Sequence, residues 1–373
     1  MSSILSSTSH HVRGNSLAFQ NILVVIKQTA FEEYSQLKLR GQAPKALRWS
    51  RLEQRFLQHK QCVTDLLEIL RQHAVPFSCV NRVELDRQHL SDIDLVISVG
   101  GDGTLLSAAH FLDHGTIPLL GINSDPNIRK EDLVVKKKTS DERRSHGALC
   151  MCHSFDMKQH LDDVLYGGGR LQVRTRIRCK VKSTFSETLL VPALNDLLLA
   201  NPSPAAVSRF RMGFMKLRPE GARPSETYGT VTRFGGKPYD VVDSINVWSS
   251  GMWVSTGTGS TAAMHAAGGR PMELESRDLQ YLIREHMIER QASYTSLDEA
   301  PYSPHRVDNG FVRHEEKMHV RWNSQKGRIF IDGSHLTHNL ELGDEIMIDN
   351  KAPPLKIFAK AYLEDEEERR SLE

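Results

Sequence analysis

Asp94-Leu95-Val96-Ile97-Ser98-Val99-Gly100-Gly101-Asp102-Gly103-Thr104-Leu105-Leu106 is the stretch on which the reading of this chain turns. Leu95 to Val99 is a short apolar, β-branched run, the pattern of a strand buried on both faces in a parallel sheet. Gly100, Gly101 and Gly103 then break it, and Thr104 opens a helix-compatible segment, Leu105 to Leu112. Strand, glycine turn, helix is a geometry in which backbone approaches phosphate oxygens. Glycine has no Cβ to hold a ligand away, and the first N–H groups of the helix point at the anion. Asp102 is a carboxylate set among groups suited to anions, which is unfavourable unless it accepts a proton or holds a metal. The local pattern leaves a helix cap and a chemical role equally open. Two familiar glycine signatures fail: a dinucleotide fingerprint from Gly101 needs glycine where Leu106 stands, and no Gly-Lys-Ser/Thr of a P-loop occurs.

Upstream, Asn21 to Ile26 reads as a buried strand followed by a polar loop. Leu52, Phe56, Val63, Leu66, Leu67 and Leu70 then mark one face of a helix that Pro76 stops. Phe77 to Val80 and Ile117 to Asn123 read as further strands. Strands alternating with helices predict right-handed βαβ units and a parallel sheet. Ligands gather beyond the carboxyl ends of such strands, where Gly100 and Asn123 lie. The charged stretch Arg129 to Arg144 has no usable period and reads as a solvated loop. Phe155 to Leu165 reads as a helix, and Gly167-Gly168-Gly169 as a hinge at the domain boundary.

The texture then changes. Leu171, Val173, Thr175, Ile177, Cys179 and Val181 alternate with basic residues, which predicts an antiparallel strand with one solvated face. That basic face lacks interleaved aromatics, so it does not read as a nucleic-acid stripe. Further strands are expected around 189–199, 210–217, 245–248, 252–255, 318–322, 328–331 and 345–348, with a helix over Leu279–His286. Leu355 to Ala361 is apolar and suits a return to the first domain, ahead of an acidic tail. The expected organisation is a tail (1–20), an α/β nucleotide-binding domain with a Rossmann-like parallel sheet (21–166), an all-β domain (167–350) and a return segment with tail (351–373).

A chain of 373 residues is long enough for two cored domains. A net charge of +2 argues for neither a nucleic-acid nor a membrane partner, and no apolar run approaches a membrane span. Five cysteines without zinc spacing point to a reducing compartment, and Cys150-Met151-Cys152-His153 reads as ordinary buried or surface residues. A cytoplasmic location is expected. The Ser-rich first 20 residues also suit a weak organelle transit peptide, mitochondrial or plastid, and the terminal Ser371-Leu372-Glu373 departs from a peroxisomal address.

Val254-Ser255-Thr256-Gly257-Thr258-Gly259-Ser260-Thr261-Ala262-Ala263 is the second unusual stretch, a turn of small donors suited to a ribose, an amide or a phosphate. Alone it reads as a Ser/Thr-rich turn. Asn195-Asp196, set in an apolar run, must be hydrogen-bonded or face a cleft. Taken with Gly100 to Thr104, Gly121-Ile122-Asn123, Gly268-Gly269 and Ile331-Asp332-Gly333, these resemble the NAD kinase family over about residues 20 to 360. The glycine-Asp motif is shared with lipid kinases and phosphofructokinases; the Thr-Gly-Ser-Thr segment separates the family from the latter. Asn195-Asp196 stands for the usual Asn-Glu, Ser250-Gly251 for Asp-Gly, and Ala262-Ala263 for Ala-Tyr. Ser124-Asp125-Pro126 follows Asn123. These departures resemble the branch of plant NADH kinases and mitochondrial NAD kinases.

The resemblance implies a transferase that moves the ATP γ-phosphoryl group to the 2′-hydroxyl on the adenosine side of NADH or NAD. It implies Mg²⁺ arriving with ATP, no protein metal site and a homodimer. Asp102 is the implied base. Gly101, Gly103, Thr104 and Asn123 shape the phosphate and ribose cleft. Asn195 and Asp196 bind ribose hydroxyls, and Thr258, Ser260, Thr261, Ala263 and Ala266 contact the nicotinamide end. A cationic nicotinamide gains from a carboxylate and an aromatic face, so losing both favours the neutral reduced ring. The alternatives are a diacylglycerol- or sphingosine-type lipid kinase and a non-catalytic NAD(H)-binding module.

Overall fold

A computed structural model describes residues 16–126, 147–219, 230–287 and 308–360. The charged stretch 129–144, the first 15 residues and the acidic tail lie outside the described residues. Two compact units emerge: one runs to Leu112, takes up Thr116–Gln172 and ends with the segment from Lys356; the other comprises Asp113–Gly115 and Val173–Leu355.

The first unit is an α/β layer structure. In chain order it contains β1 (Ile22–Ile26), α1 (Ala30–Leu39), α2 (Trp49–Gln72), β2 (Phe77–Asn81), β3 (Leu95–Gly100), α3 (Asp102–Ala109), β4 (Leu119–Asn123), β5 (Cys152–His153), α4 (Met157–Leu165) and β6 (Arg170–Arg174). The sheet order is β2-β1-β3-β4, then a late strand over Leu355–Ala359, then β6, with β5 beside β4. The β1–β2, β1–β3 and β3–β4 pairs are parallel, as is the pairing of the late strand with β4. Every residue of β3 and β4 is buried, which is why both read as unbroken apolar runs. Leu66 and Leu70 of α2 and Leu161 and Val164 of α4 close the core with Ile22, Leu95 and Ile97.

The segment after β1 is a helix, not the expected loop. No residue of α1 is fully buried; Phe31 packs on Phe56 and Trp49 of α2 with ring centroids 5.2 and 6.3 Å apart, and the helix starts on a capping box between Thr29 and Glu32. Thr29-x-x-Glu32 was the available signal. Helix α3 also begins two residues before Thr104 and ends at Ala109 rather than Leu112.

The second unit contains β7 (Arg178–Lys182), β8 (Glu187–Leu189), β9 (Asp196–Ala200), β10 (Ser208–Leu217), β11 (Thr230–Phe234), β12 (Lys237–Ser249), β13 (Gly251–Ser255), α5 (Ala263–Ala266), β14 (Leu279–Arg284), β15 (Asn309–Val312), β16 (Met318–Trp322), β17 (Lys326–Ile331), β18 (Leu336–Glu341) and β19 (Glu345–Asp349). These form two antiparallel sheets, β11-β12-β10-β16-β19-β7-β8 and β15-β14-β13-β9-β17-β18. Side chains from both, among them Phe210, Trp322, Leu197, Val254 and Ile329, fill one core. Phe210 and Trp322 stack with ring centroids 6.0 Å apart. The late strand, Leu355–Ala359, is β20, the expected return.

Two expectations in this half are overturned. Leu279–His286 is strand β14, not helix. Five of its six residues are buried, because β13 and β15 flank it, and a strand buried on both faces carries no period that separates it from a helix. The single basic-faced strand is also wrong: Thr175 to Ile177 interrupt it, and β6 and β7 join different sheets. Nor is its basic face solvated. Arg174 and Arg176 are buried, and Arg176 Nε donates to the Pro353 carbonyl at 2.7 Å. Arg178 forks onto Asp349 through Nε (2.8 Å) and Nη2 (2.6 Å). The charges are met by protein acceptors, which a one-dimensional alternation does not reveal.

Candidate functional site

In the first unit, β3 delivers Gly100 and Gly101 to the start of α3. Asp102 is the first residue of that helix, after the N-cap Gly101. Its carboxylate accepts the Leu149 N–H at 2.9 Å and the Ala148 N–H at 3.3 Å. The side chain is thus held by a turn 46 and 47 residues away. Gly103 is exposed, and a Cβ there would meet nothing, so packing does not dictate this glycine. Thr104 is buried. Asn123, at the end of β4, is fully buried, and its Oδ1 accepts the Asp125 N–H at 3.2 Å. Gly101, Asp102, Gly103, Thr104 and Asn123 thus share the carboxyl-end corner of β3 and β4, where Gly100 pairs with Asn123.

The turn that grips Asp102 was not legible as functional. Gly147 adopts φ +68°, and a Cβ on it would stand 2.6 Å from Asn123 Nδ2. The turn therefore packs on one candidate residue while its N–H groups hold another.

In the second unit, β9 starts at Asp196, with Leu194 and Asn195 ahead of it. Asp332, just past β17, receives all three N–H groups: Leu194 on Oδ2 (2.8 Å), Asn195 and Asp196 on Oδ1 (2.7 and 3.0 Å). Its own N–H donates to the Asp196 carbonyl at 3.0 Å. Asp332 holds φ +49°, a left-handed conformation that Asp tolerates better than most residues. Asp196 itself is buried. Burial first, and the neighbouring Asp332 charge second, push its carboxyl up to about 7. Asp332 sits in a strand-end Asp-Gly pair, the one sequence signal for it.

The Thr256–Ser260 loop packs directly on this clamp. Thr256 donates its hydroxyl to the Leu194 carbonyl at 2.5 Å and its N–H to the Asn195 carbonyl at 3.0 Å. A Cβ on Gly259 would lie 2.1 Å from the Asn195 carbonyl oxygen, so only glycine permits the approach. Ser260 is fully buried, donates to the Gly257 carbonyl (2.8 Å) and accepts the Met272 N–H (2.8 Å). Its hydroxyl thus shapes the loop. Thr258 is buried and accepts from Arg174 Nη1 at 3.4 Å. Thr261 and Ala266 are exposed and Ala263 is half-buried. Ser250 lies at the opposite end of β13 from this loop. At roughly 3.3 Å per residue, position 250 stands about a strand's length along the chain from the loop.

A family model described as the ATP-NAD kinase N-terminal domain matches residues 19–126, which contain the Asp102 corner. A "Probable NADH kinase" of Oryza sativa subsp. japonica is 36% identical over 322 residues, covering 86% of this chain and 86% of its own length. An "NADH kinase" of Arabidopsis thaliana is 36% identical over 346 residues, 92% of this chain and 96% of its own. Among solved structures, an NAD kinase from Archaeoglobus fulgidus in complex with ATP superposes with TM-score 0.56 at 17% identity, over 92% of this chain and 95% of that one; this establishes the fold. An α/β unit carrying an acid set among glycines, followed by an antiparallel unit carrying a clamped Asn-Asp, together with relatives matched along most of their length, leads to one conclusion: the chain belongs to the NAD kinase family.

Proposed function

We propose that this enzyme transfers the γ-phosphoryl group of ATP to the 2′-hydroxyl of the adenosine ribose of NADH or NAD, with Asp102 taking or orienting the hydroxyl proton. ATP-dependent phosphorylation of NAD(H) to NADP(H) is the activity of its family. In the step, the ribose oxygen forms a bond to the γ-phosphorus, the bond to ADP breaks, and the hydroxyl proton leaves toward Asp102. The carrying observation is that two backbone N–H groups hold the Asp102 carboxylate in place. A carboxylate accepts roughly four hydrogen bonds, so this grip does not bar it from a hydroxyl. Phosphoryl transfer relies on positioning and charge neutralisation more than on a strong base.

Asn195 and Asp196 are assigned to the ribose hydroxyls. A carboxyl raised to about 7 can donate as well as accept near neutral pH, which suits a hydroxyl partner. Gly101, Gly103, Thr104 and Asn123 are assigned to the phosphates and ribose; Thr258, Thr261, Ala263 and Ala266 to the nicotinamide end, with Ser260 shaping that loop. Among the described residues no cluster of three or more His, Cys, Asp or Glu is disposed to hold a metal ion. Mg²⁺ is assigned to the ATP phosphates, where it would supply charge neutralisation.

NADH is the favoured acceptor on two grounds. Ala263 offers no aromatic face, and the buried Arg174 guanidinium beside Thr258 disfavours the cationic oxidised ring but not the neutral reduced one. The free cysteines, four of them buried, suit a reducing compartment, and the cytoplasm and a homodimer are the proposed setting. The test is an ATP-dependent assay on NADH, NAD and a diacylglycerol side by side. NADPH should form at least as fast as NADP; phosphorylation of the lipid alone, or of nothing, would overturn the reading.

A further inference from the structure

The buried stripe of α2 is His59, Cys62, Leu66, Ile69 and Leu70, spaced as one helical face. The last four pack in the apolar core of the first unit. His59 departs from them: it is an imidazole only 5% exposed, in a place where a hydrocarbon would extend the core. A buried polar ring is unfavourable unless it is hydrogen-bonded, and its Nδ1 pairs with the Ser124 hydroxyl at 2.8 Å. Burial first, then the Lys27 charge, hold the imidazole below its ordinary value, while Glu32, the Lys27 backbone and Asp125 oppose them. Near pH 7 it is therefore a neutral hydrogen-bonding group and not a cation.

Ser124 follows β4 and is itself buried. Its N–H donates to the Gly100 carbonyl at 2.8 Å, and its hydroxyl lies 3.4 Å from the same oxygen. Gly100 closes β3 and leads through Gly101 into Asp102. On the other side Asn123 packs against Gly147, and the next two N–H groups of that turn, from Ala148 and Leu149, hold the Asp102 carboxylate. Asp102 thus has two supports, the strand it follows and the turn that grips it, and both meet at Asn123-Ser124. His59 fastens that meeting point to α2. Without the imidazole, the buried hydroxyl keeps only the long contact to Gly100 among the described residues.

We infer that His59 and Ser124 are a pair of positioning residues, fixing the end of β4 so that Asp102 meets the reacting hydroxyl. The inference rests on the kinase reading above and adds to it two residues that act through Asp102. A small displacement of an oriented acid costs rate more than it costs binding, so the pair should be felt in kcat. A ring that merely filled the end of the apolar stripe would behave differently: an apolar side chain of similar size would replace it without loss of rate.

The experiment uses the full chain with His59→Leu, His59→Gln, Ser124→Ala and the His59→Leu/Ser124→Ala double variant. Steady-state kinetics read kcat and the KM for ATP and NADH, and amide hydrogen exchange reads the Leu149 N–H. His59→Leu and Ser124→Ala should each lower kcat about five- to twentyfold, with both KM values within about twofold. The double variant should fall no further than the lower single one, because a pair broken once is not broken again. His59→Gln, which restores a partner for the hydroxyl, should regain part of the loss. In His59→Leu the Leu149 amide should exchange at least about tenfold faster while the Leu66 amide of α2 stays protected. Unchanged kcat in the folded variants, or losses that add in the double, would overturn the inference. So would a rise in either KM in place of the fall in kcat, which would make the pair a ligand contact. If His59→Leu loses its native circular dichroism, Ser124→Ala decides by the same kcat and amide criteria. A wild-type protein that phosphorylates neither NADH nor NAD would sink the kinase reading, and the Leu149 exchange would then decide the inference by itself.

Discussion

Asp102 in the first unit and Asp196 in the second are the same side chain beside a strand end, yet their surroundings are opposed. Asp102 is half-buried, opens a helix and receives two backbone N–H groups. Asp196 is buried, and among the described residues no backbone N–H reaches its carboxylate; the three N–H groups beside it go to Asp332 instead. Donors aimed at a carboxylate orient it, whereas burial beside a second carboxylate disfavours its charged form. Asp196 responds by rising to about 7. One acid is thus held as an oriented acceptor. The other is poised between acceptor and donor.

The contrast breaks most severely at Asp102. Asp102→Asn retains the shape but not the proton acceptor, and kcat should fall by about 10²–10⁴-fold. The amide must also turn its NH₂ toward one of the two N–H groups, so stability should drop by about 1–3 kcal/mol in a denaturant titration. Near-normal turnover would remove Asp102 from the chemistry. Asp332→Asn attacks the other side. An amide cannot accept all three N–H bonds as a carboxylate does, and a loss of about 2–4 kcal/mol is expected. Because it frees the Asn195-Asp196 backbone, the NADH KM should rise about tenfold while the ATP KM holds. Removing the Asp332 charge should also bring Asp196 down from about 7, shifting the pH dependence of the NADH KM to lower pH.

How much of this was open to reading in one dimension follows from where each contact comes from. The β3-glycine-α3 unit was legible because one strand, one turn and one helix are neighbours in sequence. The β-rich second half was legible because β10, β16 and β17 each alternate against a single core. Asp196 was read only as a polar residue needing a partner or a cleft, since its neighbour Asp332 stands 136 residues away. The inward turn of the Ser260 hydroxyl depends on Met272, and the grip on Asp102 on Ala148 and Leu149, none of which announces itself locally. Arg174 and Arg176 were misread for the same reason: their acceptors lie across the fold.

Asp196→Asn sharpens the comparison through pH. An acid whose folded value is raised binds its proton more tightly when folded, so stability is greatest below the unfolded carboxylate value near 4. It is lost progressively as pH rises toward about 7. The Asn variant escapes that loss. Relative to wild type it should be more stable at pH 8, by on the order of 1–3 kcal/mol, and equally stable near pH 4. A stability difference that does not change between those values would mean that Asp332 and burial leave Asp196 charged, and the contrast with Asp102 would fail.

The smallest change tests whether the grip on Asp102 is built by the turn or merely touched by it. Gly147 holds φ +68°, where an alanine loses about 1–2 kcal/mol, and the added Cβ would crowd Asn123 Nδ2. Asn123 Cβ and Cγ would also lie 3.1 Å from it, so the side chain must give as a whole, and Gly147→Ala should fold with a lower Tm. What the substitution moves is the direction of the Ala148 and Leu149 N–H groups, and with them the Asp102 carboxylate. Misplacing an oriented catalytic group is felt in the rate more than in binding, so kcat should fall about three- to tenfold with both KM values nearly constant. Should the KM for NADH rise while kcat holds, the turn acts on Asn123 and the ligand rather than on Asp102, and the orientation of the acid must be owed to α3 alone.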